Sequence, residues 1–175
     1  MAEKKLRGSV LNGYLKFIRK KWGSQEFIRC VHHIGVNQEG FKEGDWYEYE
    51  YSEKLLFWLA KQKGRDQLEA LGRFTVQNMG LLSYIVRFMD VKSIIKRSPK
   101  TYQDAFNFGR IEVFKLEGKK AVYRTHDVSQ NEYSCLAWKG VCYGFLDATR
   151  TKGEVEKTKC IFDGDPYCEY IMMWE

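Results

Sequence analysis

Residues 160–174 read CIFDGDPYCEYIMMW, and this stretch decides the fold of the chain's C-terminal end. Asp163-Gly164-Asp165-Pro166 is a strong turn sequence, because Asp, Gly and Pro each favour tight turns for a separate reason. Strand-forming residues flank it over about 153–162 and 167–174, so the segment predicts a β-hairpin. In this hairpin Cys160 and Cys168 lie almost opposite each other, and their side chains can meet on one face.

A second hairpin is predicted earlier in the chain. Residues 110–116 and 121–128 alternate in polarity around Glu117-Gly118-Lys119-Lys120, which contains the glycine of a tight turn. Between the two hairpins, residues 131–149 return to helical spacing. Hairpin, helix and hairpin together predict an antiparallel sheet covered by helices.

The N-terminal half shows helical spacing throughout. We expect an amphipathic helix over about 6–22 that stops at Gly23, and further helices over about 24–35, 52–64 and 66–89. Ser98-Pro99 is expected to interrupt the pattern before a short helix that ends near Gly109. Residues 37–51 are expected to form a loop with aromatic side chains. The prediction is a single α+β domain over residues 1–175, with a helical N-terminal half packed on the antiparallel sheet.

Composition narrows the function classes. The N-terminus has no apolar core of a signal peptide, and no apolar run approaches the roughly 20 residues of a membrane span, so we expect a cytoplasmic protein. The net charge is +6, but the basic runs at 19–21 and 92–100 accompany no nucleic-acid-binding motif. We therefore expect a solvated basic face and no nucleic-acid partner.

The five cysteines are an odd number, which in a reducing compartment indicates thiols or metal ligands rather than a disulfide framework. Three interpretations of Cys160 and Cys168 stay open: half of a tetrahedral metal site, a reversible disulfide, or small buried hydrophobic residues.

The C-terminal motif resembles that of the 4-vinyl reductase domain family, which shows a cysteine followed by Gly-Asp-Pro-x-Cys-Glu-aromatic. Residues 6–17, LRGSVLNGYLKF, with Trp22-Gly23 are similar to the opening helix of the haem nitric-oxide-binding proteins (the H-NOX family). These families share a ligand-binding fold with subunits of vesicle-tethering complexes. The resemblance covers nearly the whole chain and implies a ligand cavity between helices and sheet.

The resemblance to the 4-vinyl reductase family also implies a structural zinc, since its phenol-sensing members bind zinc through three cysteines and a glutamate. Cys160 and Cys168 match the final pair. The first cysteine would be Cys135 or Cys142, and the glutamate Glu156 or Glu154, although neither fits the family's spacing perfectly. The predicted metal set is Cys135, Glu156, Cys160 and Cys168.

Haem would need an axial ligand and cations for its propionates. The segment 88–95, FMDVKSII, resembles the haem-ligating helix of the H-NOX family but contains no histidine. That family's propionate-binding Tyr-x-Ser-x-Arg is replaced by Tyr123-Arg-Thr-His126. We therefore expect no haem.

Aromatic residues form 15% of the chain, which favours either a dense core or a lined cavity. We expect the cavity to hold an apolar or aromatic molecule, with tyrosine hydroxyls or His126 orienting a polar group. For each candidate, ordinary core packing is the competing interpretation. The predicted wall is Phe74, Met79, Tyr84, Phe88, Phe106, Tyr123, Trp138 and Tyr143.

These features predict a non-enzymatic sensory domain that signals to a downstream protein or through a homodimer, the latter favoured by an aromatic cluster over 46–51. A thiol redox sensor using Cys160 and Cys168 and a scaffold or tethering subunit without ligand are the alternatives. A reductase has no support, because the sequence lacks nucleotide-binding and zinc-protease motifs.

Overall fold

The computed structural model of the protein describes residues 3–78 and 89–175. The helices within these ranges are α1 (Gly8–Ile34), α2 (Glu50–Lys63), α3 (Asp66–Gln77), α4 (Val91–Ala105) and α5 (Glu132–Ala148). The strands are β1 (Lys5–Arg7), β2 (Trp46–Glu48), β3 (Arg110–Glu117), β4 (Lys120–His126), β5 (Gly153–Lys159) and β6 (Cys168–Trp174). The predicted α+β class is confirmed. In the described part of the chain, no helix is long and apolar enough to cross a bilayer.

Both predicted hairpins are present and join in one antiparallel sheet of order β3-β4-β6-β5. Glu117 pairs with Lys120 around the first turn, and the central strands β4 and β6 pair Tyr123 with Tyr170. Helix α5 begins at its N-cap Asn131, whose side chain accepts a hydrogen bond from the Ser134 amide at 2.9 Å. Its buried side chains pack on the sheet to form the C-terminal core.

The two helices predicted on either side of Gly23 are joined as α1. Gly23 has φ 87° and ψ 179°, which is not helical, so the helix kinks there instead of ending. Glycine adopts this conformation without the steric penalty that other residues incur. The chain then ends α1 at Gly35, whose φ of 77° is the left-handed cap.

The expected interruption at Pro99 is wrong, because α4 continues through it to Ala105. Proline has no amide hydrogen and leaves the carbonyl of the residue four positions earlier without its helical donor. Here that carbonyl, on Ile95, accepts the Ser98 hydroxyl at 2.7 Å and the Tyr123 hydroxyl at 3.2 Å. The helix survives because side chains replace the missing backbone bond, and one of them comes from the sheet.

The segment expected to be a loop over 37–51 also contains secondary structure. Strand β2 pairs antiparallel with β1, and α2 already begins at Glu50. Tyr47 and Tyr51 pack edge-on against Phe41, and the Arg7 guanidinium lies 4.0 Å from the Trp46 ring centroid. The aromatic cluster therefore packs largely within the chain.

Helices α3 and α5 cross at backbone contact. A side chain at Gly72 would overlap the Ala137 carbonyl, and one at Gly140 would overlap the Glu69 carbonyl. Next to the crossing, Arg73 donates two hydrogen bonds to Asp147, at 2.8 and 2.9 Å. The helix predicted over 66–89 is described only as far as Gln77, and the rest of it, with Gly80, lies outside the described residues.

We expect Gly140→Ala to destabilise the protein by about 2 to 3 kcal/mol, because the added methyl group forces the two helices apart. Chemical denaturation measures this change. Gly44→Ala is the matched control, since no atom lies within 4 Å of the added carbon and its backbone is not left-handed. Equal stability of the two variants would contradict the close crossing.

Candidate ligand cavity and thiol cluster

A cavity of about 170 Å³ lies between the N-terminal helices and the C-terminal half. All five described helices contribute to its wall, α4 and α5 most of all. The small residues Gly72, Ala105 and Ala137 leave the space, and larger apolar side chains close it. The wall consists of Val10, Tyr14, Tyr49, Leu56, Gly72, Thr75, Val76, Met89, Ile94, Arg97, Ser98, Thr101, Tyr102, Ala105, Phe106, Ile111, Val128, Ser134, Ala137, Trp138, Val141 and Phe145.

The polar groups on this wall are few. Burial raises the pKa of Tyr49 to about 12 and that of Tyr14 further, so both phenols stay neutral at physiological pH. The Tyr102 hydroxyl donates to the Phe108 carbonyl at 2.7 Å and is therefore occupied. Arg97 is the one cationic side chain among the described wall residues. An apolar chamber with a few convergent polar groups is typical of small-molecule sites.

The structure places the eight predicted wall residues in different environments. Phe106 and Trp138 line the cavity, each packed against Tyr102 with ring centroids 4.6 and 5.6 Å away. Phe74 lies instead against Phe17, and Tyr123 is buried between α4 and the sheet. The remaining described candidate, Tyr143, lies beside Arg73. Met79, Tyr84 and Phe88 lie outside the described residues.

None of the predicted wall residues lies on α4, although six residues of this helix, including Arg97 and Thr101, line the cavity. Its expected break at Pro99 assigned these residues to two separate segments. A continuous α4 places Arg97, Thr101 and Ala105 on one face at intervals of four residues, which the unbroken helical period would have revealed.

Three cysteines meet where the first turn of α5 contacts the β5–β6 hairpin. The Cys135 sulfur lies 3.7 Å from that of Cys160 and 3.5 Å from that of Cys168, and all three sulfurs lie within 4.8 Å of one another. All three side chains are buried. The hairpin brings Cys160 and Cys168 together, and the first turn of α5 adds Cys135. These are distances at which thiolates can share one metal ion.

The cluster favours a thiolate at Cys135. A hydrogen bond from the Cys168 thiol lowers the pKa of Cys135 well below its usual range, and hydrogen bonds from Lys157 and Tyr170 lower it further, against the opposing effect of burial. Burial alone would lower the pKa of Lys157, but its bonds to the Cys135 and Cys160 sulfurs raise it overall. The Cys135 and Cys160 sulfurs therefore lie beside the protonated ammonium of Lys157.

The structure brings Cys135, Cys160 and Cys168 together but not the other proposed ligands. Glu156 and Glu154 are exposed, while Val155 between them is buried, so both carboxylates lie on the outer face of β5. Lys157, on the inner face, occupies the position nearest the sulfurs. Cys142 is buried away from the cluster, where burial raises its pKa to about 12.

The three histidines lie elsewhere. His32 and His33 are exposed in the last turn of α1, and His126 is paired with Glu112 through its Nε2 at 3.0 Å. None of them is on the wall of the cavity. His126 therefore does not lie where it could orient a ligand in the cavity, as the sequence had suggested.

No protein-family model matches the sequence, and no curated protein matches it. Solved structures match the fold. An H-NOX protein from Shewanella oneidensis in its Fe(II)NO state has a TM-score of 0.78 at 14% identity, covering 97% of this chain and 99% of that one. The chain has the fold of H-NOX domains. The resemblance to the 4-vinyl reductase family, by contrast, stays a prediction.

Two further H-NOX structures match over 97% of this chain and 95% of theirs. One belongs to a study of heme distortion, with a TM-score of 0.78 at 8% identity. The other is an oxygen-binding domain related to soluble guanylate cyclases, in its oxygen complex, with a TM-score of 0.76 at 10% identity. At these identities the match establishes the fold.

These structures contradict the expectation that haem has no place here, because proteins with this fold are described with haem and with its gas complexes. The expectation against haem, which rested on the missing histidine and the replaced propionate motif, is therefore wrong. The described wall combines an apolar lining with the Arg97 cation, and the Met89 thioether and Tyr14 phenol are groups of the kinds that ligate haem iron. It contains no histidine, and residues 79–88 contain none either.

Proposed function

We propose that the protein is a sensory domain that binds a small molecule in the cavity between its helices and does not act as an enzyme. The observation that carries this proposal is the apolar chamber lined by α4 and α5, with few polar groups facing it. The fold supports it, since solved proteins of this fold include oxygen- and nitric-oxide-bound domains.

The ligand is proposed to be an apolar or aromatic molecule, and haem is a member of that class. Aromatic side chains from Phe106, Trp138 and Phe145 on the wall favour a flat ring system. If haem is bound, Met89, Tyr14 and Arg97 are the described residues available to its iron and propionates. The iron would then supply a coordination position for a diatomic gas.

Ligand binding is proposed to act by moving α4 relative to α5. The two helices form half of the wall. Each contacts the sheet differently: α4 through the Ser98 and Tyr123 hydroxyls, α5 through Cys135 and Tyr170. A ligand that fits one arrangement better than another shifts the population toward it. The altered surface is proposed to be recognised by a downstream protein or across a homodimer.

We further propose that the three clustered cysteines bind zinc as a structural ion. The support is their mutual distance and the lowered pKa of Cys135, since thiolates are the form that binds zinc. The ion would link the first turn of α5 to both sides of the β5–β6 connection.

The cavity is tested by titrating the protein with 1-naphthol and following naphthol fluorescence. We expect Ala137→Leu to weaken binding at least about tenfold, because the larger side chain takes up cavity space; this corresponds to about 1.4 kcal/mol. Ala148→Leu, at the end of the same helix and off the wall, should bind like the unchanged protein. Equal binding by both variants would place the ligand elsewhere.

Haem is tested separately by adding hemin and recording the visible absorption spectrum under oxidising and reducing conditions. If haem binds in this cavity, we expect a saturable Soret band whose position shifts with nitric oxide. The band should be lost in Ala137→Leu and kept in Ala148→Leu. A spectrum that stays that of free hemin rejects haem and leaves the aromatic ligand as the proposal.

Zinc is tested by native mass spectrometry before and after chelation. We expect the added mass of one zinc ion in the unchanged protein and in Cys142→Ala, and its loss in Cys135→Ala, because only Cys135 reaches the hairpin cysteines. A zinc-free protein that reversibly loses two hydrogens on oxidation would instead identify a thiol redox sensor.

A further inference from the structure

Three described arginines that join separate elements pair with carboxylates, and Arg97 does not. Arg65 pairs with Glu132, Arg73 with Asp147 and Arg124 with Glu169, with nitrogen–oxygen distances of 2.8 to 2.9 Å. Arg97 belongs to no ion pair among the described residues, and segment 79–88 contains no Asp or Glu that could supply one. Its guanidinium is therefore a cation without a carboxylate partner.

The guanidinium of Arg97 lies where it can contact a ligand in the cavity. Arg97 lines the cavity and is also exposed to solvent, so it lies at the rim between the apolar chamber and water. Thr101, one turn further along α4, lines the same side, and its hydroxyl donates to the Arg97 carbonyl at 3.2 Å. The rest of the wall is mainly apolar.

The surroundings of Arg97 strengthen the positive potential at this rim. Lys92, Lys96 and Lys100 are exposed on the same helix, and none of them pairs with a carboxylate among the described residues. The Asp90 carboxylate at the start of α4 is used as its cap, accepting the Ser93 amide at 3.0 Å and the Ser93 hydroxyl at 2.7 Å. An anion arriving here meets little competition from protein carboxylates.

We propose that the ligand is an amphiphile with an anionic head group, whose apolar body fills the cavity and whose carboxylate pairs with Arg97. A guanidinium presents parallel N–H donors that match the two oxygens of a carboxylate. Next to an apolar chamber such a pair is less screened than on an open surface. This inference rests on the proposed function and specifies the chemistry of its ligand.

The proposal is tested with two ring compounds of similar shape and different charge, 1-naphthoate and 1-naphthol, at neutral pH. We expect the unchanged protein to bind 1-naphthoate at least about tenfold more tightly, a difference of about 1.4 kcal/mol. Arg97→Gln should abolish this preference while binding 1-naphthol as before, which also shows that the variant is folded. Arg19→Gln, an exposed arginine of α1 that is not on the wall, should keep the preference.

Competition with one further carboxylate, dodecanoate, distinguishes a fatty chain from a ring system as the apolar body of the ligand. Dodecanoate competing more strongly than 1-naphthoate would indicate a fatty chain, and the reverse order would indicate a ring system; both results support an anionic head group. Equal affinity for 1-naphthoate and 1-naphthol, or a preference that survives in Arg97→Gln, overturns this inference while the ligand cavity stands. Failure of every compound to bind overturns the proposed function as well.

Discussion

The close crossing of α3 and α5 holds the two halves of the molecule together. Helix α3 belongs to the N-terminal helices and α5 lies on the sheet, so this contact joins the two hydrophobic cores. It requires glycine at positions 72 and 140, because any side chain there would occupy the space of the opposite backbone. The Arg73–Asp147 pair sits beside the crossing and fixes its direction.

The cavity lies beside this crossing and shares residues with it. Gly72, Ala137 and Val141 take part both in the helix contact and in the cavity wall. On the other side the chamber is closed by α4, which Tyr123 holds to the sheet through the carbonyl that Pro99 leaves free. A ligand in this space would therefore touch both α4 and α5, each of which also contacts the sheet.

The thiol cluster adds a second contact, which joins α5 to the β5–β6 hairpin. Its chemistry depends on Lys157, whose ammonium stands where a carboxylate ligand was expected. An ammonium favours thiolate at Cys135 but cannot itself bind a cation while protonated. The cluster thus offers a metal three sulfur ligands. The phenol-sensing type of site has a glutamate as its fourth ligand, and here the positively charged Lys157 lies in that place.

Both hairpins could be predicted from the sequence, because Gly118 and Asp163-Gly164-Asp165-Pro166 favour tight turns through local backbone preferences. It also indicated Cys160 and Cys168 as neighbours, since a hairpin fixes which residues face each other. The effect of Pro99 was predicted wrongly, because the hydroxyls that compensate for the missing amide include that of Tyr123, which is distant in sequence.

Three features became visible only in the folded chain: Cys135 rather than Cys142 joins the cluster, Lys157 lies where Glu156 was expected, and Arg97 faces the cavity. Each of these outcomes depends on which face of a helix or strand meets another element, and local sequence patterns do not specify that long-range packing.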